Sequence, residues 1–321
     1  MQPTDTTRWT RRRVLQSAGA ALTAAAVAQQ VHANQTTKPA ARPTLCLFSK
    51  ALQNRPAGEL PRMLTELGIE AVDLTVRPGG HVLPERAADD LPRAHEQLRA
   101  AGIAIPMITT AITDATEDHA ETILATAAKL GIRFAKIGYY PYDDLHKIHA
   151  TLANVRARLK DVAALCKRYG VAAGFHNHSG NNVGAAMWDV WELIRDQDPA
   201  AIGSYFDLGH ATAEGAVYGW RIGLNLMISR IVIVGVKDVG FGKNDRGGWK
   251  TTWGPLGEGM VRFDEAFRRL KEHGFTGPIS LHVEYGPYAS PVGSEEDRRN
   301  LEYIRHDLAF ARKALAKADL V

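Results

Sequence analysis

A chain of 321 residues that is 45% hydrophobic and 23% charged has ample length for one large core, and is too apolar and too evenly charged for a disordered or fibrous protein. Of its formal net charge of +4, residues 1–33 supply +3, because Arg8, Arg11, Arg12 and Arg13 face only Asp5; the body is left near +1 by difference. With no dense Lys/Arg stripe in that body, the composition argues against a nucleic-acid partner.

In chain order, Thr10-Arg11-Arg12-Arg13-Val14-Leu15 opens an Ala-rich apolar run from Ala18 to about Ala28, and Val31-His32-Ala33 offers small residues for cleavage. A charged n-region, a short h-region and a cleavage site predict a removable signal over 1–33. The paired arginines resemble a twin-arginine signal, which implies an exported, periplasmic or extracytoplasmic protein. The h-region is too short for stable membrane insertion, and no later segment has enough uninterrupted apolar residues to span a bilayer.

Residues 34–43 read as a linker, and 44–321 as the catalytic domain. The predicted strands are Thr44–Ser49, Ala71–Val76, Ile103–Thr109, Phe134–Tyr139, Val171–His178, Gly203–Asp207, Ile231–Lys237 and Ile279–Tyr285. The predicted helices between and after them are Gly58–Leu67, Leu91–Ala101, Thr116–Leu130, Ile148–Tyr169, Ala185–Gln197, Arg221–Ser229, Phe263–His273 and Glu295–Ala316. Gly68, Gly102, Gly131, Gly170 and Gly274 stand just past a predicted last turn, where a residue free to adopt positive φ ends a helix. Strands and helices in strict alternation predict an α/β (β/α)8 TIM barrel, and no glycine-rich dinucleotide fingerprint follows the first strand. Cys46 in the first strand and Cys166 in a later helix read as small buried apolar residues rather than a disulfide.

Active sites of such barrels lie at the C-terminal ends of the strands. There the sequence places Gly174-Phe175-His176-Asn177-His178, Asp207-Leu208-Gly209-His210, Gly235-Val236-Lys237-Asp238 and Leu281-His282-Val283-Glu284-Tyr285. Alternation along a strand puts His176 with His178, and His282 with Glu284, on shared faces. If those faces point inward, His176, Asp207, His282 and Glu284 converge, and two imidazoles with two carboxylates suit one divalent ion such as Mn, Zn, Co, Fe or Mg. Glu284, His178, His210 and Lys237 are then the catalytic candidates, as bases, proton carriers or substrate ligands. Substrate contacts are predicted for Lys136, Arg77, His81 and Trp253. Asp73 and Thr75 share a strand face nearby, and the glycines from Trp253 to Gly259 suggest tight turns beside the site.

Residues 44–315 resemble the xylose-isomerase-like barrel superfamily of sugar isomerases and epimerases, in the order and spacing of His176-Asn177-His178, Asp207-Leu208-Gly209-His210, Lys237-Asp238, Leu256-Gly257-Glu258-Gly259 and His282-Val283-Glu284. The resemblance implies a metal set of Glu, Asp, His and Glu on the last four strands. Asp207 and Glu284 carry over; His176 stands at the first Glu position and Gly235 at the His position, and strand parity points to His282 as the replacement imidazole. The implied function is metal-dependent isomerase or epimerase chemistry on an unphosphorylated sugar, by proton abstraction next to a carbonyl, in a protein that commonly forms a homodimer. With one of the paired glutamates missing, a lyase or dehydratase acting by β-elimination on a 3-keto-glycoside or inosose-like substrate is the alternative, and a non-catalytic sugar-binding barrel is the second.

Overall fold

The computed structural model describes residues 42–321. The predicted signal and all of the predicted linker but Arg42 and Pro43 lie outside the described residues. The strands in chain order are β1 (Thr44–Phe48), β2 (Ala71–Thr75), β3 (Ala104–Thr109), β4 (Phe134–Lys136), β5 (Ala172–His176), β6 (Ile202–Asp207), β7 (Ile231–Val236), β8 (Asp238–Lys243), β9 (Trp249–Gly254) and β10 (Pro278–Leu281). Eight of them close into a barrel in the order β1-β10-β7-β6-β5-β4-β3-β2, and every neighbouring pair is parallel. β8 and β9 form a separate antiparallel hairpin, from Asp238 opposite Gly254 to Lys243 opposite Trp249.

Alternation sorts the side chains. Cys46, Ala71, Met107, Tyr205 and Ile233 point inward and form their own buried cluster, the plug of the barrel. Their strand neighbours point outward into the larger core beneath the helices. The helix Phe263–Glu272 shows how a helix meets that core: Phe263, Ala266, Phe267 and Leu270 are buried on one stripe. Phe267→Ala there would cost about 3–5 kcal/mol in lost burial and cavity. The glycines expected to stop helices do so in the left-handed region, with φ of 68° at Gly68, 75° at Gly102, 79° at Gly131, 64° at Gly170 and 73° at Gly274.

The barrel's two ends in sequence are tied together by a buried ion pair. Arg55, after β1, donates to Asp297 at 2.8 Å, and Asp297 lies in the first turn of the last helix, Glu295–Lys317. Ser294 caps that helix by accepting the Asp297 N–H at 3.1 Å. Cys46 and Cys166 are free and buried. Among the described residues no helix is long and apolar enough to cross a membrane.

Several features depart from the sequence reading. The fourth and fifth strands end at Lys136 and His176, short of the predicted Tyr139 and His178, and the β8–β9 hairpin is not among the predicted elements. The last strand ends at Leu281 rather than Tyr285, although the His282 N–H still donates to Val236 O at 2.9 Å. Asp207-Leu208-Gly209-His210 is a strand end that turns directly into a helix, Leu208–Gly215, because the Asp207 carboxylate accepts the His210 N–H at 2.8 Å and caps it; the predicted Arg221–Ser229 helix follows as Gly219–Met227. Trp253 and Gly254 belong to β9, so the tight turns begin only after them.

Candidate active site

His176, Asp207 and His210 come together at the mouth, one donor atom of each lying within 4.8 Å of the others. β5 delivers His176, the end of β6 delivers Asp207, and the helix that Asp207 caps delivers His210. All three are almost fully buried. His176 Nε2 lies 3.2 Å from Asp207 Oδ2, and Tyr139 Oη lies 2.9 Å from Nδ1. A carboxylate only accepts, so Nε2 carries the proton and Nδ1 accepts from the phenol. Burial pushes the His176 imidazole down to about 3 despite Asp207. His210 Nδ1 accepts the Ser179 N–H at 3.2 Å, while its Nε2 is buried without a hydrogen-bond partner among the described residues.

A second knot lies beside the first. Glu284 accepts from Lys50 Nζ at 2.7 Å, Lys237 Nζ at 2.8 Å and His282 Nδ1 at 3.2 Å. Burial alone would raise the Glu284 carboxyl; Lys237, His282 and Lys50 outweigh it and hold the group well below the carboxylate range. Burial likewise opposes ionisation of Asp207, and Lys237, His210 and His176 overcome it. Lys237 reaches toward both carboxylates, standing 3.7 Å from Asp207 Oδ2.

The structure does not bring His282 and Glu284 into the His176–Asp207–His210 group. Both ring nitrogens of His282 are engaged, Nδ1 by Glu284 and Nε2 by Tyr205 Oη at 2.6 Å. Nor is there room for a replacement at Gly235: a Cβ there would stand 2.7 Å from Asp207 Oδ2 and 2.9 Å from Tyr205 Cε2. The three donors that do converge would suit a borderline divalent ion once His176 Nε2 gives up its proton and its bond to Asp207, and His210 moves its proton from the unpartnered Nε2 to Nδ1, which lies 2.7 Å from Ser179 Oγ.

His176, His282, Lys50 and Glu284 open onto a cavity of about 110 Å³ whose wall also includes Phe48, Arg77, Thr109, Lys136, Tyr139, His178 and Tyr205; Asp207, His210 and Lys237 stand behind that wall. Of the predicted substrate contacts Arg77 and Lys136 line it, as does His178. Two predicted substrate contacts do not line it. The His81 ring is spent on its own loop, with Nδ1 bonded to Thr75 Oγ1 at 3.0 Å and Nε2 facing Leu52 O at 3.2 Å. Trp253 packs edge-on against the His210 ring, centroids 4.9 Å apart, and under Lys237 Nζ at 4.7 Å. It backs the site rather than facing the cavity.

Sequence reasoning missed Lys50, Tyr139 and Tyr205. The signal for Lys50 was a lysine directly after the first strand, and for Tyr139 an aromatic pair, Tyr139-Tyr140, where the fourth strand runs out. Asp73, one of the weaker candidates, lies at the barrel axis, fully buried, accepting from Thr109 and Ser280 hydroxyls at 2.8 Å each. Burial raises its carboxyl above the ordinary range.

Comparison with known proteins follows the same lines. An uncharacterized protein, MJ1311, of Methanocaldococcus jannaschii is 25% identical over 146 residues, 45% of this chain and 47% of that protein. An inosose dehydratase of Bacillus velezensis is 29% identical over 145 residues, 42% of this chain and 48% of the dehydratase. The matches thus span about half the length of these relatives. Among solved structures, an L-ribulose 3-epimerase superposes with a TM-score of 0.64 at 17% identity, covering 86% of this chain and 96% of its own. The IOLI protein with a bound zinc atom gives 0.65 at 15% identity, covering 86% and 99%. Likenesses this distant show the shared fold. The xylose isomerase-like TIM barrel family matches residues 61–314, most of the chain, and the protein belongs to that family.

Proposed function

We propose that this protein is a divalent-metal-dependent sugar isomerase or epimerase that removes a proton next to the carbonyl of an unphosphorylated sugar. The observation that carries the reading is the His176–Asp207–His210 group, with its unsatisfied His210 nitrogen, standing beside a small polar cavity that Glu284 also faces. Family membership and the inosose dehydratase relative support sugar chemistry. A metal ion held by those three residues would supply positive charge to the carbonyl oxygen.

The chain's own residues do the rest. Lys50, Lys237 and His282 keep Glu284 ionised and aim it, so it can accept a proton but is a weak base. Lys237, donating to Glu284 at 2.8 Å, holds the carboxylate in place while it takes that proton. Tyr139 and His178 are placed to meet sugar hydroxyls. A second reading, β-elimination from a keto-glycoside or inosose, is favoured by the departure from the set the resemblance implies: His176 stands at the first glutamate position, and a single proton-abstracting carboxylate is enough for a lyase.

Metal content and reaction in deuterated water test the proposal. Elemental analysis of protein purified without chelator should find about one divalent ion per chain, and Asp207→Asn should lower its affinity by tenfold or more, a loss of about the size seen when metal sites are disturbed. Isomerisation or epimerisation yields a product of unchanged formula carrying deuterium; fragments or an unsaturated product would favour the lyase. Absence of turnover with all sugars, keto-sugars and keto-glycosides, with ligand affinity retained in Glu284→Gln, would leave only a binding protein. Export through the segment at 1–33 and pairing into a homodimer belong to the same proposal, tested by cell fractionation and by mass in solution.

A further inference from the structure

Three lysines stand at the barrel mouth, and two of them are neutralised by Glu284, with Nζ at 2.7 Å for Lys50 and 2.8 Å for Lys237. Lys136 is different. It is 2% exposed, at the end of β4, four strands from β10 around the eight-strand ring and so directly across the mouth from Glu284. Among the described residues its Nζ has no hydrogen-bond or ion-pair partner. It lies 3.4 Å from the centroid of the Tyr139 ring and on the wall of the cavity.

We infer that Lys136 is an amine nucleophile, which condenses with the carbonyl of a small sugar in this cavity to form an imine. Burial, and then the charge of Arg77, depress its ammonium form well below the ordinary lysine range, against the weaker pull of Asp73 and Glu284. The Tyr139 face favours the cation by about 2 kcal/mol at such a desolvated site, less than the cost of holding an unpaired charge out of water. A neutral amine facing a carbonyl-sized space is the arrangement that imine chemistry requires.

The step balances. The Nζ lone pair bonds to the carbonyl carbon as the C=O π pair moves to oxygen. That oxygen takes one proton from the nitrogen and one from solvent, the C–O bond breaks, and water leaves. The resulting iminium draws electrons from the neighbouring C–H. This gives a role to an otherwise awkward fact: Glu284, clamped by two ammonium groups, is a weak base and needs an acidified C–H. The inference rests on the proposed sugar-carbonyl chemistry for its substrate class; because the imine expels the carbonyl oxygen, the iminium takes the place of a metal in acidifying the C–H, and a metal would be left to hold a neighbouring hydroxyl. Its test does not depend on turnover.

Full-length protein is incubated at pH 7 with dihydroxyacetone, the smallest ketose, reduced with borohydride, digested and mapped by mass spectrometry. The reduced three-carbon adduct should appear on Lys136 at least about tenfold above the exposed Lys129 and Lys160 in the same digest, as expected if its amine is depressed by a unit or more relative to theirs. Lys136→Met, with circular dichroism confirming the fold, should lose that adduct. Should Lys136→Met not fold, Lys136→Arg serves the same purpose. Labelling of Lys136 no greater than of Lys129 and Lys160, or trapping at Lys50 or Lys237 instead, overturns the inference. Trapping at Lys136 in a protein that proves to contain no metal would uphold it while removing the metal-dependent reading, so the two fail separately.

Discussion

Lys237, just past β7, and Lys136, at the end of β4, are both nearly buried at the same barrel mouth, at 5% and 2% exposure. Around Lys237 every charge has an answer: Glu284, Asp207, Lys50, His282 and His176 form a continuous network of hydrogen bonds and ion pairs. Around Lys136 there are an aromatic face and Arg77, and among the described residues no carboxylate within ion-pair distance. The difference separates two uses of one side chain. A charge that is paired on all sides holds geometry, whereas a nitrogen left unpaired in a dry wall is available for chemistry.

The comparison can be broken most severely at Glu284. Glu284→Gln leaves Lys50 and Lys237 facing a neutral amide, and breaking a largely buried pair should cost about 3–5 kcal/mol in urea unfolding. Gly235→Ala strikes the same wall sterically, since its Cβ would meet Asp207 and Tyr205 at 2.7 and 2.9 Å; overpacking should cost about 1–3 kcal/mol, read from the unfolding midpoint.

Acid acts on that wall through its histidines. An unfolded imidazole takes up a proton near pH 6.5, whereas native His176 stays neutral to about 3. The unfolded chain therefore binds more protons as pH falls through that window, and stability falls with it, by about 2 kcal/mol for His176 alone by pH 5. His178 and His210 are lowered too and add in the same direction. Asp207 and Glu284, held low, contribute stability that is intact above about pH 4.5 and lost only on further acidification. A chelated sample whose stability is flat from pH 6.5 to 5 would contradict the neutral, buried histidines. The smallest effect belongs to Lys136→Met, which removes an unpaired amine rather than a partner; its unfolding free energy should stay within about 1 kcal/mol of the parent.

The barrel was legible because its grammar is local. Alternating strand and helix patterns with glycines just past the helices can be read along the chain, and parity correctly aimed His176 and Asp207 inward. What stayed hidden is what closure creates. Lys50 and Glu284 are 234 positions apart and meet because β1 and β10 are neighbours in the ring. Nothing in the neighbourhood of either residue announces the other. Tyr205 read as an ordinary strand aromatic, yet its hydroxyl takes the nitrogen that parity alone had assigned to an ion. The β8–β9 hairpin was missed because its Gly-rich, polar strands lie largely outside the core, where alternation is weak.

The packing of Tyr205 over Gly235 also bears on how this site could change. Restoring the histidine that the family resemblance implies at position 235 needs space that Tyr205 and Asp207 occupy. Shrinking Tyr205 first opens a hole in the plug and strips His282 of its partner. Either single step passes through a less stable protein, so the two arrangements are separated by a valley that drift in one residue at a time does not readily cross.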